Sequence, residues 1–132
     1  MPTIIRKPLS EKQVKYKHEV EIRNSDFYNS GAWKRLRNTL LSRNPLCYEC
    51  LQHGRVVPAT DAHHLIPFMS GDSEEERWNL FLKDSNIRML CDTCHHAYHN
   101  KMRQYNMKSV FDLTASEYKY AHGLNYQKEI FF

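Results

Sequence analysis

The sequence predicts a small α+β domain in which two short strands precede a helix. Residues 56–65 are rich in β-branched and apolar side chains, which is typical of a strand. A second short apolar segment, 86–90, has the same character, and the next residues favour a helix from Asp92 to about Gln104. A chain of 132 residues is long enough for one domain with a modest core.

Helices are also predicted before this unit. Ser10 and Gln13 could form a capping box, but the apolar pattern that follows is poor, so residues 1–26 are interpreted as a basic arm or helix. A helix over 30–43 is indicated more strongly, because its apolar residues recur at helical spacing and Pro45 ends it.

The rest of the chain divides into a loop and a C-terminal extension. Residues 68–84 are polar and acidic and are predicted to form a loop. Thr114 and Glu117 have the spacing of a capping box, which predicts a last helix that ends near Gly123. We therefore expect residues 107–132 to form a helical extension.

Positive charge is concentrated near the N-terminus. Residues 1–45 carry ten Lys/Arg and four Asp/Glu (+6), and the remainder carries nine and eleven (−2), which together give the net charge of +4. This asymmetry suits a polyanionic partner, although a solvated helix face would explain it equally well. No apolar run has the length of a membrane span, and the N-terminus lacks a secretory signal, so we expect a cytoplasmic protein without membrane association.

The four cysteines form two Cys-x-x-Cys pairs, Cys47 with Cys50 and Cys91 with Cys94. Each pair places two thiolates at one tight turn, and two pairs complete the closed tetrahedral set of a structural zinc ion. A redox pair or free core cysteines are the alternatives. Two matched pairs flanking a histidine-rich segment favour zinc.

The histidines also follow a pattern. His95 and His99 are four residues apart on the predicted helix, so both imidazoles can bind one ion. A third ligand from the strand segment, His63 or His64, would leave a coordination position open for water or phosphate, as a catalytic metal requires. Any one of these residues could instead be an ordinary surface or core histidine, but their combination favours a catalytic metal site.

Two longer motifs carry a resemblance to a known family. They are His63-His64-Leu65-Ile66-Pro67 and the run from Asn86 through Leu90-Cys91-Asp92-Thr93-Cys94-His95. With their spacing, the segment from Cys47 to Lys101 resembles an HNH endonuclease of the Cys₄ zinc-knuckle type. Residues 27–37 and 44–47 are similar to phage and prophage members. The resemblance implies a ββα-metal (His-Me finger) fold with flanking helices, an HNH nuclease domain over 27–106, and DNA as substrate.

The resemblance also implies roles for single residues. His64 corresponds to the general base, and Asn86 corresponds to the residue that orients this base or braces the loop. His95 corresponds to a metal ligand, and His63 stands where most members have a metal-binding Asp. Together with His99, the set is similar to the His-rich site of colicin-type DNases. A catalytic Mg²⁺, Mn²⁺, Ni²⁺ or Zn²⁺ is expected, and imidazole ligands favour the transition metals over magnesium.

Six basic residues are candidates for binding backbone phosphates, and no segment has the pattern of a base-specific recognition helix. These residues are Lys34, Arg35, Arg37, Arg88, Lys101 and Arg103. We therefore expect an endonuclease that nicks DNA with low sequence specificity, with a role in phage packaging or a mobile element. A terminase, other phage proteins and a second copy of the chain are candidate partners. The alternative is a non-catalytic zinc-binding module that binds DNA or assists phage assembly.

Overall fold

The computed structural model describes residues 7–105 and 112–124, and within them it is an α+β structure, as predicted. A single two-stranded antiparallel sheet is surrounded by helices. The strands are β1 (Asp61–His64) and β2 (Ile87–Leu90); the α-helices are α1 (Glu11–Ile22), α2 (Gly31–Arg43), α3 (Tyr48–Gln52), α4 (Glu74–Phe81), α5 (Asp92–Gln104) and α6 (Ala115–Ala121). None of the helices in these ranges is long and apolar enough to span a membrane.

The sheet and the helix that follows it form the predicted ββα unit. In the hairpin His63 pairs with Arg88 and His64 pairs with Ile87. The strand expected over 56–65 is shorter than predicted, because β2 offers only four residues before Cys91 begins the cap of α5. The residues before β1 run back towards the first Cys pair, where Pro58 forms an isolated bridge with Leu46.

The connection between the strands corrects one prediction. Residues 68–84 do not form a simple loop, since they contain a 3₁₀ turn (Phe68–Ser70), helix α4 and the start of a second 3₁₀ turn (Asp84–Asn86). The Ser73 side chain accepts a hydrogen bond from the Glu76 backbone and so caps α4. Three glutamates in its first turn interact favourably with the helix dipole, so the acidic run that suggested a loop stabilises a helix start.

The N-terminal segment is helical, and the predicted capping box is present. Ser10 accepts a hydrogen bond from the Gln13 backbone, and the Gln13 side chain accepts one from the Ser10 backbone. Helix α1 buries none of its residues, which explains its poor apolar pattern. It continues directly into a π-helical segment, Arg23–Tyr28, that buries Phe27 and leads to α2. Helix α2 has nearly the predicted bounds and is capped by Ser30.

Helices α5 and α6 pack against each other near the C-terminus of the described chain. The capping box of Thr114 and Glu117 is present. After the helix, Gly123 has a positive φ of 67°, a conformation that glycine adopts without the strain other residues would incur. Lys101 on α5 donates to the Glu117 carboxylate at 2.8 Å, which connects the two helices. The domain boundary predicted at 106/107 lies outside the described residues.

The buried side chains form separate groups on either side of the hairpin. One is an aromatic cluster of Phe27, Trp33, Phe68 and Phe81, which joins the π-helical segment, α2 and α4. A second group surrounds the cysteines and includes Leu90, Tyr98, Leu113 and Tyr118. A third, smaller group contains Leu40, Ala59 and Met89. The hairpin therefore has a different packing partner on each face.

Loss of the α6 cap provides a test of this packing. Thr114→Ala removes the hydroxyl that accepts a hydrogen bond from the Glu117 backbone at 3.1 Å. We expect the free energy of unfolding in urea to fall by about 1 kcal/mol. Thr39→Ala is the matched control, since its exposed hydroxyl bonds only to the Arg35 carbonyl one turn back on α2. The control should change by no more than ~0.5 kcal/mol, and equal losses in both variants would contradict the capping role.

Candidate active site and metal centre

Four buried thiols form a metal-binding cluster. Their sulfur atoms all lie within 4.8 Å of one another, and Cys50 Sγ is 3.8 Å from the sulfurs of both Cys91 and Cys94. A tetrahedron of thiolates bound at about 2.3 Å from an ion has edges of about 3.8 Å, so the spacing fits one central ion. Cys47 and Cys91 are the N-caps of α3 and α5, and each sulfur accepts a hydrogen bond from a backbone N–H. These helix starts favour the thiolate form.

A buried carboxylate connects this cluster to α5. Glu49, which lies between the first two cysteines, is 1% exposed. It accepts hydrogen bonds from the Tyr98 hydroxyl at 2.5 Å and from the Leu113 backbone at 3.3 Å, and its other close contact is His53 Nε2 at 2.7 Å. Arg88 on β2 donates to the same Tyr98 hydroxyl. The charge of Glu49 is therefore well compensated, and it holds α5 to the first Cys turn.

His122 is a further polar group at the cysteine cluster. It lies just after α6, and its Nε2 is 3.2 Å from Cys94 Sγ and 4.0 Å from Cys50 Sγ. A proton on Nε2 would be donated to a thiolate, which offsets negative charge on the sulfur ligands. Sequence reasoning missed this residue, because nothing in its spacing relates it to the cysteines.

Three imidazoles converge at the other end of the ββα unit. Ring nitrogens of His63, His95 and His99 all lie within 4.8 Å of one another, and the two Nε2 atoms of His95 and His99 are 3.1 Å apart. Nitrogens bound about 2.1 Å from one ion at angles of 90–109° are about 3.0–3.4 Å apart, so this pair fits a shared ion. His63 Nε2 is buried without a hydrogen-bond partner. An orphaned buried nitrogen beside two other imidazoles fits a metal ligand.

The electrostatic surroundings keep His63 and His99 neutral, as metal binding requires. Burial, together with the neighbouring His95 and His99, lowers the pKa of His63 to about 3. Burial and the nearby His95 also lower the pKa of His99. Asp61 Oδ2 is 2.8 Å from His95 Nδ1. Burial would raise the pKa of Asp61, but hydrogen bonds from His95 and Thr60 lower it. The Asp61 carboxylate accepts the proton on His95 Nδ1, which leaves His95 Nε2 free to bind an ion.

His64 faces the opposite side of the hairpin and is buried among aromatic rings. Its imidazole stacks on Phe81 at 5.1 Å between ring centroids and lies 5.3 Å from Trp33. Nε2 is 3.0 Å from the Phe81 carbonyl oxygen, which can only accept, so Nε2 carries the proton and Nδ1 carries the lone pair. Burial lowers the pKa of His64, against the opposing effect of this hydrogen bond. The ring is therefore a neutral base with a defined tautomer.

Asn86 hydrogen-bonds to the chain on both sides of the connection between the strands, and of its two expected roles these contacts favour bracing the loop. Its Oδ1 accepts from the Ile66 backbone at 2.8 Å, and its Nδ2 donates to the carbonyls of Ile66 and Leu80. The Phe81 carbonyl, next to Leu80, makes the hydrogen bond to His64. Asn86 thus influences the position of His64 through the chain at the end of α4.

The strand and helix histidines border one cleft of about 350 Å³. His63, His64, His95 and His99 all line it, so both neighbouring strand histidines reach the same space from different faces of β1. Sequence reasoning did not anticipate the part of the lining that comes from outside the ββα unit. These residues are Arg23 and Tyr28 of the π-helical segment and Pro67, Phe68 and Met69 of the connection between the strands. Met102 of α5 also lines the cleft.

The six basic candidates have different environments. Lys34 and Arg35 are exposed on α2. Arg88 is engaged within the protein, since it bonds to Tyr98, lies 3.6 Å from Asp112 and packs over the Tyr48 ring. Lys101 is held by Glu117 and the Asp112 carbonyl. The Arg37 and Arg103 side chains donate to the Thr60 carbonyl and to Asn100, respectively. These contacts favour α2 over Arg88 and Lys101 as a phosphate-binding surface.

Comparison with known proteins agrees with this geometry. A family model described as HNH endonuclease matches residues 47–101, the segment that contains both Cys pairs, the hairpin and the His-x-x-x-His turn of α5. Residues 47–101 are an HNH endonuclease domain. The predicted family is confirmed over residues 47–101, and the match supports a nuclease.

One solved structure is similar to this protein over a larger part of the chain than residues 47–101. The HNH endonuclease of the deep-sea thermophilic bacteriophage GVE2, crystallised with a manganese ion, is similar at 25% sequence identity and a TM-score of 0.54. The similarity covers 74% of this chain and 97% of that one, so it extends beyond the HNH domain into the flanking segments. No curated protein sequence shows significant similarity to the chain.

Because His122 contacts the cysteine cluster, we predict that the wild-type protein releases its metal more slowly than a variant without this imidazole. We expect His122→Ala to release the cysteine-bound ion at least about tenfold faster to a colorimetric chelator, because the loss of an outer hydrogen bond weakens a thiolate site. His18→Ala, an exposed position on α1, is the control and should release the ion at the wild-type rate. Equal rates in all three proteins would show that His122 only packs beside the cluster.

Proposed function

We propose that the protein is a metal-dependent endonuclease that nicks DNA with low sequence specificity. The observation that supports this most directly is the cleft, in which a buried base of defined tautomer, His64, lies beside three converging imidazoles. A structural role alone would not leave His63 Nε2 buried without a partner beside two further ring nitrogens. The HNH family match supports DNA as the substrate.

His64 is proposed as the general base. Its Nδ1 accepts a proton from a water molecule, and that water attacks the scissile phosphorus from the side opposite the departing 3′ oxygen. The positive charge that develops on the ring is stabilised by the Phe81 carbonyl, which holds the Nε2 proton at 3.0 Å. The aromatic rings around His64 restrict its orientation, so the base is positioned before substrate binds.

His63, His95 and His99 would hold the catalytic ion, and Asp61 would orient His95 through Nδ1. A divalent ion bound there supplies a Lewis acid that stabilises negative charge on the phosphate during cleavage. Three imidazole ligands favour a transition metal over magnesium. The related phage enzyme was crystallised with manganese, which supports Mn²⁺ as the first ion to test here.

Zinc is proposed for the cysteine cluster. Four thiolates with no open position are the ligand set of a structural zinc ion, and the sulfur spacing fits its bond length. In this position the ion would contribute folding free energy and no chemistry. The two metal sites would therefore differ in both ligand type and function.

Low sequence specificity follows from the kind of surface that the described residues offer. The exposed cations on α2, Lys34 and Arg35, suit phosphates, which carry no base information. The non-catalytic zinc-binding alternative accounts for the cysteines and the cations but leaves the geometry of His63, His64, His95 and His99 unexplained. One such site makes one cut, so duplex cleavage would require two nicks, a second copy or a partner.

A plasmid assay with His64→Ala tests the proposal. Protein stripped with EDTA is resupplied with Mn²⁺, Ni²⁺, Zn²⁺ or Mg²⁺ and incubated with supercoiled DNA. We expect metal-dependent conversion to nicked circles, and a loss of at least about 100-fold in His64→Ala with DNA binding retained, because only the proton acceptor is removed.

His96→Ala is the matched control on the same helix as the proposed ligands. The His96 ring is exposed and bonds back to the Asp92 carbonyl at 3.0 Å. This variant should nick at the wild-type rate. If folded, metal-loaded wild type cuts with none of these ions, the protein does not act as a stand-alone nuclease; if His64→Ala cuts normally, His64 is not the base.

Similarity to a bacteriophage enzyme supports a role in phage DNA packaging or in a mobile element. The proposed partners are then a terminase and a second copy of the chain. Light scattering coupled to size-exclusion chromatography measures the mass of the protein alone and with a purified terminase large subunit. We expect a shift to a larger complex with terminase, and an unchanged monomer mass in both runs would contradict both partner proposals.

A further inference from the structure

We propose that Arg23 binds the scissile phosphate in the active-site cleft, and this inference rests on the nuclease function proposed above. Arg23 lies far from the HNH segment in the sequence, at the start of the π-helical segment, and it lines the same cleft as His63, His64, His95 and His99. It would donate hydrogen bonds to a nonbridging phosphate oxygen and stabilise the negative charge that builds up there during cleavage.

The first observation is that the Arg23 side chain lacks a partner at a buried donor. Nε is buried and makes no hydrogen bond, and Arg23 is absent from the ion pairs of residues 7–105 and 112–124. Leaving a buried N–H of a permanently charged guanidinium unpaired costs free energy of folding. We therefore interpret this unpaired donor as a binding group for a ligand. The other side-chain atom with this property, His63 Nε2, lies in the same cleft.

The second observation is the sign of the charges around the cleft. Apart from Arg23, the titratable groups that line the cleft are imidazoles and the Tyr28 hydroxyl. Asp61, which pairs with His95, is not part of the lining. Burial raises the pKa of Tyr28, and the nearby Arg23 opposes this rise. An anion in the cleft would therefore meet a guanidinium that no carboxylate neutralises. The planar guanidinium matches the oxygens of a phosphate.

The third observation concerns the backbone that carries Arg23. Helix α1 is regular up to Ile22, and the helix widens to a π-helical turn over the next six residues. Such widened turns commonly occur at functional sites, because they redirect side chains out of the regular helical pattern. Phe27 and Tyr28, at the end of the turn, pack against Phe68 and Phe81, so the segment is held against the pocket of His64.

Cleavage kinetics test the assignment. We expect Arg23→Ala to lower kcat/KM for plasmid nicking by about 100-fold, mainly through kcat, as loss of a donor to a developing oxyanion does. Arg23→Lys should recover part of this loss, since it keeps the charge but not the planar donor set. Lys119→Ala is the control, because Lys119 is exposed on α6 and does not line the cleft. An Arg23→Ala enzyme that is folded and cuts within about threefold of wild type would overturn the assignment.

A binding measurement separates this inference from the nuclease proposal. The Nε–H resonance of Arg23 is assigned in ¹H–¹⁵N NMR spectra as the arginine signal lost in Arg23→Lys, and inorganic phosphate is titrated into metal-free protein. A saturable shift of that signal supports phosphate binding even if wild type cuts no DNA, in which case only the nuclease proposal fails. If the Arg23 signal does not move while DNA is cut normally, the assignment fails and the nuclease proposal stands.

Discussion

The cluster of four thiols brings together the two ends of the segment that contains the hairpin, and the rest of the domain depends on this constraint. Forty residues separate Cys50 from Cys91, and nearly all of the hairpin and its connection lie within that interval. One bound ion would close this long loop and supply folding free energy that a chain of this size gains only in part from its core. Because Cys91 is also the N-cap of α5, the same contact determines where the helix that carries His95 begins.

Distance along α5 then separates the cysteine cluster from the histidine cluster. His95 is in the first turn after the cap, and His99 is one turn further, on the same face. The buried hydrogen bond from Tyr98 to Glu49 joins α5 to the first Cys turn and favours this orientation of the helix. The cysteine cluster therefore positions His95 and His99 through α5, and the two clusters share no residue.

Alternation along a strand explains how two adjacent histidines serve different purposes. His63 and His64 are neighbours in β1, so their side chains leave the hairpin on opposite faces. One face meets α5, where His63 lies 5.1 Å from His95 and 5.2 Å from His99 between ring centroids. The other face meets the aromatic cluster, which surrounds His64 and leaves it neutral. The strand ends at His64, and this end allows both rings to border a single cleft.

The sequence by itself determined the parts that depend on short-range spacing. Two Cys-x-x-Cys turns, a His-x-x-x-His helix and the capping boxes of α1 and α6 are local patterns, and the structure places them within a few residues of the predicted bounds. Local pattern could not reveal α4, since eight residues with an acidic first turn have too little apolar periodicity to be distinguished from a loop.

Only the tertiary structure decided which distant groups meet. The Phe81 carbonyl contacts His64, Asp61 contacts His95, and His122 contacts Cys94. Arg23 lines the cleft with the histidines. Each of these contacts joins residues at least 17 positions apart in the sequence. A backbone carbonyl has no identity in the sequence, and a lone Arg or His has no spacing that relates it to a site. Such contacts depend on how helices pack on the hairpin, which the buried aromatic and cysteine clusters determine.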